Sequence, residues 1–226
     1  AIDDVLRISA GTTMTDVITY LDSKDLFPAL RDAASVVGSI QIRNRATLAG
    51  NICNASPAAD TVPVLAAYGA EVEINGLNGV RKCPVAKFIQ GNRQIDLGLG
   101  EIVSAVCIPL PRGAQGCAFD RITRRRGVDL ATTNMCMNID AAGGVTVVFG
   151  AVSPRPLVLH DETRTLGNMT TTSAERREAI KALADQAKPI SDLRATADYR
   201  SAMLCIMVER SLSTAHARRS GEVANA

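Results

Sequence analysis

Apolar and polar positions alternate from the start of the chain, where Val5-Leu6-Arg7-Ile8-Ser9 reads as a strand. Met14, Val17, Ile18 and Leu21 then recur at helical spacing, with Thr13 or Thr15 placed to cap the helix they imply. A second helix is expected over residues 28–38, because proline suits a first helical position and glycine a helix end. Residues 40–54 show no helical period and are rich in polar groups, so they read as a loop. Ser56-Pro57 is expected to open a third helix reaching about Tyr68, with Ser56 as its cap. Residues 71–74 and 80–84 alternate around a turn containing Asn-Gly, the pattern of a hairpin. Residues 101–108 form another expected strand, closed by Pro109 and Pro111.

Past Gly113 the pattern changes. Residues 118–123, 131–139 and 145–152 read as successive antiparallel strands, the last two joined by the tight turn Ala141-Ala142-Gly143-Gly144. Residues 157–166 add a further strand or an extended segment. Two helices follow, over 173–187 and 198–215; the second carries Tyr199, Met203, Ile206 and Met207 with Arg210 at its edge. The polar tail 218–226 is expected to be disordered. The fold class is therefore α+β, with one domain over 1–112 and another over 116–217.

Composition narrows the function. With 226 residues, 46% apolar and 21% charged, the chain is that of an ordinary globular protein able to bury a core. A net charge of +2 does not suit a polyanion binder, and 3% aromatic residues without tryptophan do not suit a stacking platform, so no nucleic-acid partner is expected. No apolar run approaches the roughly 20 residues that span a bilayer, and no basic-then-apolar leader is visible. The six cysteines include no C-x-x-C pair and there are only two histidines, so no metal site is expected. The cysteines read as reduced, mostly buried thiols, which fits a cytoplasmic protein.

The most informative stretch is Q-I-R-N-R-A-T-L-A-G-N-I-C-N-A-S-P-A-A-D, from Gln41 to Asp60. Thr47, Gly50 and Asn51 lie in the expected loop ahead of a helix. Glycine lets backbone approach a ligand closely, and Thr47 and Asn51 supply short hydrogen-bonding side chains. A helix from Pro57 would direct its positive end back at the loop and favour an anion such as a pyrophosphate. Asp60 would accept hydrogen bonds from a sugar hydroxyl. The plainer reading is a turn and a capped helix that bind nothing.

This run closely resembles the second FAD-binding loop in the flavoprotein subunits of the molybdenum hydroxylases, the family of xanthine dehydrogenase, aldehyde oxidase and the medium subunit of carbon monoxide dehydrogenase. The resemblance extends through Arg7-Ile8-Ser9-Ala10-Gly11-Thr12-Thr13-Met14-Thr15-Asp16, Glu101-Ile102-Val103 with Ile108-Pro109, Phe119-Asp120-Arg121-Ile122 to Asp129-Leu130-Ala131, and Asp192-Leu193-Arg194-Ala195-Thr196 with Tyr199-Arg200. It implies a PCMH-type FAD-binding domain followed by a CO dehydrogenase flavoprotein C-terminal-like domain. It also implies roles. Thr47, Gly50, Asn51 and Asn54 would hold the pyrophosphate and ribitol region of FAD, and Asp60 the ribose side. Val37, Gly38, Ile42 and Ala46 would line the cofactor's bed, Ile102 and Val103 would pack near adenine or flavin, and Gly11 would be a close backbone contact. Arg121, where the family often has lysine, would steer an acceptor or bind phosphate. The plainer readings are core for Ile102 and Val103, and a solvated face for Arg121 and the run Arg124-Arg125-Arg126.

Two departures stand out. The family commonly has adjacent glycines where this chain has Ala49-Gly50, and its first Gly-rich cofactor loop is not in the sequence. That loop is expected ahead of Ala1, in an N-terminal subdomain missing here, so the chain alone is expected to bind FAD weakly or not at all. By resemblance, electrons pass from a molybdenum cofactor subunit through a subunit with 2Fe-2S clusters to FAD here, and then to NAD or another acceptor; a xanthine dehydrogenase-like complex is the first expectation. The residues offer no Ser–His–Asp set and no paired catalytic carboxylates, which suits an electron relay whose chemistry is the cofactor's. The rivals are a structural or assembly subunit that does not bind FAD, and a self-contained flavin oxidase needing an active-site lid that residues 116–217 do not suggest.

Overall fold

The computed structural model describes residues 4–222. The first part of the chain runs β1 (Val5–Ser9), α1 (Met14–Lys24), α2 (Pro28–Ser35), α3 (Ile40–Arg43), α4 (Leu48–Cys53), α5 (Thr61–Ala67), β2 (Glu71–Gly76), β3 (Gly79–Pro84), α6 (Val85–Phe88), β4 (Ile89–Gly91), β5 (Gln94–Ile95) and β6 (Ile102–Pro109). The rest runs β7 (Gly116–Ile122), β8 (Thr133–Ile139), β9 (Val145–Gly150), β10 (Leu157–His160), α7 (Ser173–Ala184) and α8 (Ala197–Ser220).

Two antiparallel four-stranded sheets, ordered β1-β6-β2-β3 and β10-β9-β8-β7, carry the mixed α and β architecture expected. In the first, the β2–β3 hairpin turns at Leu77-Asn78, and a bulge in β6 lets both Val103 and Val106 face the core. Strand β8 of the second is buried along its whole length because both faces are covered. Met135, Met137 and Ile139 pack with Leu183, Leu204, Met207 and Leu212 of α7 and α8, while Cys136 joins the core built by α1, α2, α4, α5 and the first sheet. The helical layer thus sits between the sheets. Gly150 permits this packing: a side chain there would meet Asn134 Oδ1 at 2.1 Å and Pro63 at 2.9 Å. Asn138 adds a bond from β8 to the Ala67 carbonyl at the end of α5 (3.1 Å).

Several boundaries differ from the sequence expectations, each for a local reason. Residues 40–54 are not a continuous loop: they hold α3 and α4, capped by Ser39 and Thr47, whose side chains accept from the Ile42 and Gly50 N–H groups. Helices of four and six residues are too short to display a period. The helix expected from Pro57 starts only at Thr61, with Asp60 at its N-cap making no side-chain cap bond. The Pro57 carbonyl is taken instead by the Ala151 N–H (2.7 Å), and the Ser56 hydroxyl accepts from the Ala58 N–H (3.3 Å), tying residues 56–59 to the end of β9. Helix α2 stops at Ser35, and α7 at Ala184. Thr13, not Thr15, caps α1, in a reciprocal box with Asp16. Of the tail expected to be disordered, residues up to Ser220 continue α8, closed by Gly221 at φ 77°; residues 223–226 lie outside the described residues.

Candidate functional site

Two segments far apart in the first fifty or so residues are joined by backbone pairing. The Met14 N–H donates to the Ala46 carbonyl (2.8 Å), the Leu48 N–H to the Thr12 carbonyl (3.4 Å), and Thr13 bridges Thr47. This holds Gly11 beside Ala46 and Thr47. Gly11 is exposed, and open space surrounds the position a Cβ would occupy. The same segment is fixed to the first sheet by the Ala10 N–H donating to the Ser104 carbonyl (2.9 Å). Within α4, Gly50 is exposed and its N–H donates to Thr47 Oγ1 at 3.0 Å, while the Asn51 N–H donates to the Thr47 carbonyl at 3.0 Å. The Asn51 side chain accepts from the Thr61 hydroxyl through Oδ1 (2.7 Å), so its amide NH₂ is the group left to donate outward. Asn54 ends the helix and is exposed.

Thr61 leads directly to Asp60, the centre of a second cluster. Arg121 of β7 donates from Nη1 to Asp60 Oδ2 at 2.7 Å, and Asn134 of β8 donates from Nδ2 to Asp60 Oδ1 at 2.8 Å. The ion-paired side chains are only 14% and 8% exposed for Arg121 and Asp60. Burial pushes the Asp60 carboxyl above the ordinary carboxylate range, opposed by the Asn134 bond and by the Arg121 charge. Both Asp60 oxygens already accept a bond, so its first role in this arrangement is to orient Arg121. The Arg121 guanidinium also reaches the Val36 carbonyl (3.4 Å), next to Val37 and Gly38. That turn is held from its other side by Arg43, which donates to the Val37 and Gly38 carbonyls at 3.2 Å each. Gly38 is needed on two counts: φ is +55°, and a Cβ would meet Ile42 at 2.8 Å.

The structure therefore brings Gly11, Ala46, Thr47, Gly50 and Asn51 into one cluster, linked through Thr61 to Asp60, Arg121, Val37, Gly38 and Ile42. Ile42 and Ile102 expose apolar side chains, 54% and 66% respectively, whereas Val103 is buried in the core. Arg121 is not on a solvated face, but Arg124, Arg125 and Arg126 are exposed on the loop that follows. Sequence reasoning missed Asn134, Thr61 and Arg43. Asn134 left a signal: with Asn138 it is one of two amides in a strand expected to be largely buried, and buried amides need partners.

Residues 1–111 match the family described as the FAD binding domain in molybdopterin dehydrogenase, and residues 118–215 the CO dehydrogenase flavoprotein C-terminal domain. The chain is 29% identical over 226 residues to the xanthine dehydrogenase FAD-binding subunit of Escherichia coli O157:H7, covering 98% of this chain and 77% of that protein. It is 30% identical over 220 residues to the carbon monoxide dehydrogenase medium chain of Hydrogenophaga pseudoflava, covering 93% and 75%. The solved carbon monoxide dehydrogenase from Hydrogenophaga pseudoflava, in a form lacking the Mo-pyranopterin moiety, superimposes with a TM-score of 0.85 at 27% identity, covering 96% of this chain and 77% of that one. With both parts of the fold matched, this chain belongs to the FAD-binding medium-subunit family of the molybdenum hydroxylases, whose members are oxidoreductase subunits.

Proposed function

We propose that this chain holds FAD along the surface running from Gly11 and Thr47–Asn51 to Arg121, as the electron-transfer subunit of a molybdenum hydroxylase complex. Its partners in this reading are a subunit carrying the molybdenum cofactor and one carrying 2Fe-2S clusters, with NAD or another acceptor taking the electrons onward in the cytoplasm. A xanthine dehydrogenase-like complex is the first candidate. Within the chain, residues 1–112 supply the cradle and 116–217 the domain that presents Arg121. No helix among the described residues is long and apolar enough to cross a membrane.

The residues fit a flavin dinucleotide. Open space at Gly11 and the exposure of Gly50, on two segments joined at Thr13 and Thr47, leave backbone accessible to a diphosphate, with the Asn51 amide as a donor. Ile42 and Ile102 offer exposed apolar side chains for contact with the cofactor's rings. Bound FAD would supply the one- and two-electron chemistry. The chain's residues bind and orient it: Thr47 fixes the loop, Asn51 donates, and Arg121, aligned by Asp60 and Asn134, places a cation at the seam between the two halves.

The pairing of the Gly11–Thr13 segment with Ala46–Leu48 carries this reading, because it turns two sequence motifs into one surface. Asn51→Leu in the complete protein is expected to lower flavin content, read from visible absorbance, with an unchanged far-ultraviolet circular dichroism spectrum. Full flavin content in that variant would refute the assigned loop.

A further inference from the structure

Cys117 on β7 and Cys136 on β8 bring their sulfurs to 3.2 Å, at 2% and 0% exposure. Cys117 stands opposite Asn138 and Phe119 opposite Cys136, so the two thiols are diagonal neighbours on one face of the sheet. That face is the one turned toward α2 and α5. Cys136 is sealed, but Cys117 lines a cleft of about 320 Å³ with Phe27, Tyr68, Gln115 and Arg218. The Tyr68 hydroxyl is buried without a conventional partner and lies against Cys117. Arg218 donates to the Cys117 carbonyl (2.8 Å) and to Asp32 (2.7 Å), which sets a cation beside the thiols and links α8 to α2.

None of these groups belongs to the cofactor surface. We propose that Cys117 and Cys136 form a modification site: a dithiol that a small hydroperoxide entering the cleft converts to a cross-strand disulfide. The balance closes with hydrogen peroxide as oxidant. The Cys117 sulfur attacks one peroxide oxygen; an S–O bond forms, the O–O bond breaks, and a sulfenic acid and one water result. The Cys136 sulfur then displaces the hydroxyl; an S–S bond forms, the S–O bond breaks, and a second water leaves with the thiol's proton. Two thiols lose two electrons and one peroxide gains them. Burial raises the Cys136 thiol and slows the reaction, while the neighbouring Arg218 charge opposes that effect. The resulting bond ties β7 to β8 at the seam where Asp32 and Arg218 already join the two halves.

The test treats the native full-length subunit in its complex with hydrogen peroxide, removes the peroxide with catalase, then blocks remaining thiols with N-ethylmaleimide under denaturing conditions. Digestion without reductant and mass spectrometry should give a linked pair of peptides carrying Cys117 and Cys136 from the same chain, abolished by dithiothreitol. Two alkylated thiols on this pair after treatment, with oxidation confined to the half-exposed Cys53 and Cys205, would overturn the proposal. So would a link formed only after denaturant, or between chains. In Cys136→Ser the sulfenic acid has no resolving thiol, and dimedone should label Cys117 more strongly than in the parent; equal labelling would count against it. Should that variant fail to fold, the parent's peptide map alone decides.

Discussion

Asp60→Asn tests the most constrained part of the site. The replacement keeps the shape of the carboxylate and removes its charge, leaving the Arg121 guanidinium, 14% exposed, without its anion. Removing one member of a buried pair costs about 3–5 kcal/mol, because the survivor stays desolvated. Arg121 keeps some solvent access and its bond to the Val36 carbonyl, which places the cost at the lower end, about 3 kcal/mol. At about 2–4 °C per kcal/mol for a chain of this size, Tm should fall by roughly 6–12 °C.

The complementary change separates charge from packing. Arg121→Met leaves a buried carboxylate whose pKa is already raised by burial and now lacks its cation. A group whose folded pKa lies above its unfolded one contributes stability that is fully present below the unfolded pKa and lost as pH rises through the folded one. Arg121→Met should therefore be most destabilised near neutrality and recover toward acid, whereas Asp60→Asn should show no such recovery from this pair. The double variant carries neither charge and should recover most of the loss, since a buried pair can often be replaced at little cost. Differential scanning calorimetry across a pH series measures all three. An Asp60→Asn Tm within about 1 °C of the parent would refute the reasoning, as would a double variant as unstable as the two single changes added together.

Thr47→Ala removes the cap on the Gly50 N–H and should cost about 1 kcal/mol, with faster hydrogen exchange at Gly50 and Asn51; Thr47→Ser should restore protection. Gly150→Ala forces a methyl to within 2.1 Å of Asn134 Oδ1, so the urea midpoint should fall by the equivalent of about 1–3 kcal/mol; an unchanged midpoint would contradict the described packing of α5 on β9. The Glu73 carboxylate is held down at about 2, first by its hydrogen bond from Arg7 and then by Ser104. Because its folded pKa is depressed, its contribution is present above the ordinary glutamate range and lost as pH falls toward about 2. Glu73→Gln should flatten that acid limb in a Tm-against-pH series, and an unaltered limb would remove Glu73 from the account.

How much of this was legible beforehand depended on contact range. The alternation of Val5–Ser9, the apolar spacing of α1 and the hairpin around Leu77-Asn78 are local signals, and local signals locate strands and longer helices. The motif around Gly50 could be read because its residue types and order survive as text. Its conformation could not: α3 and α4 are shorter than the window in which a helical period can be seen, and the start of α5 is set by the Ala151 N–H on the Pro57 carbonyl, a contact no local rule contains. Asp60 illustrates the same limit at the level of chemistry. Its position at a helix start suggests a free acceptor for a sugar, yet its partners Arg121 and Asn134 lie 61 and 74 residues away and occupy both oxygens. Only the second sheet, closing over α2 and α5, makes that pairing and gives Arg121 a fixed direction. The cradle's backbone comes from one half of the chain and its best-aligned cation from the other, so the contact between the halves is itself part of the proposed binding surface.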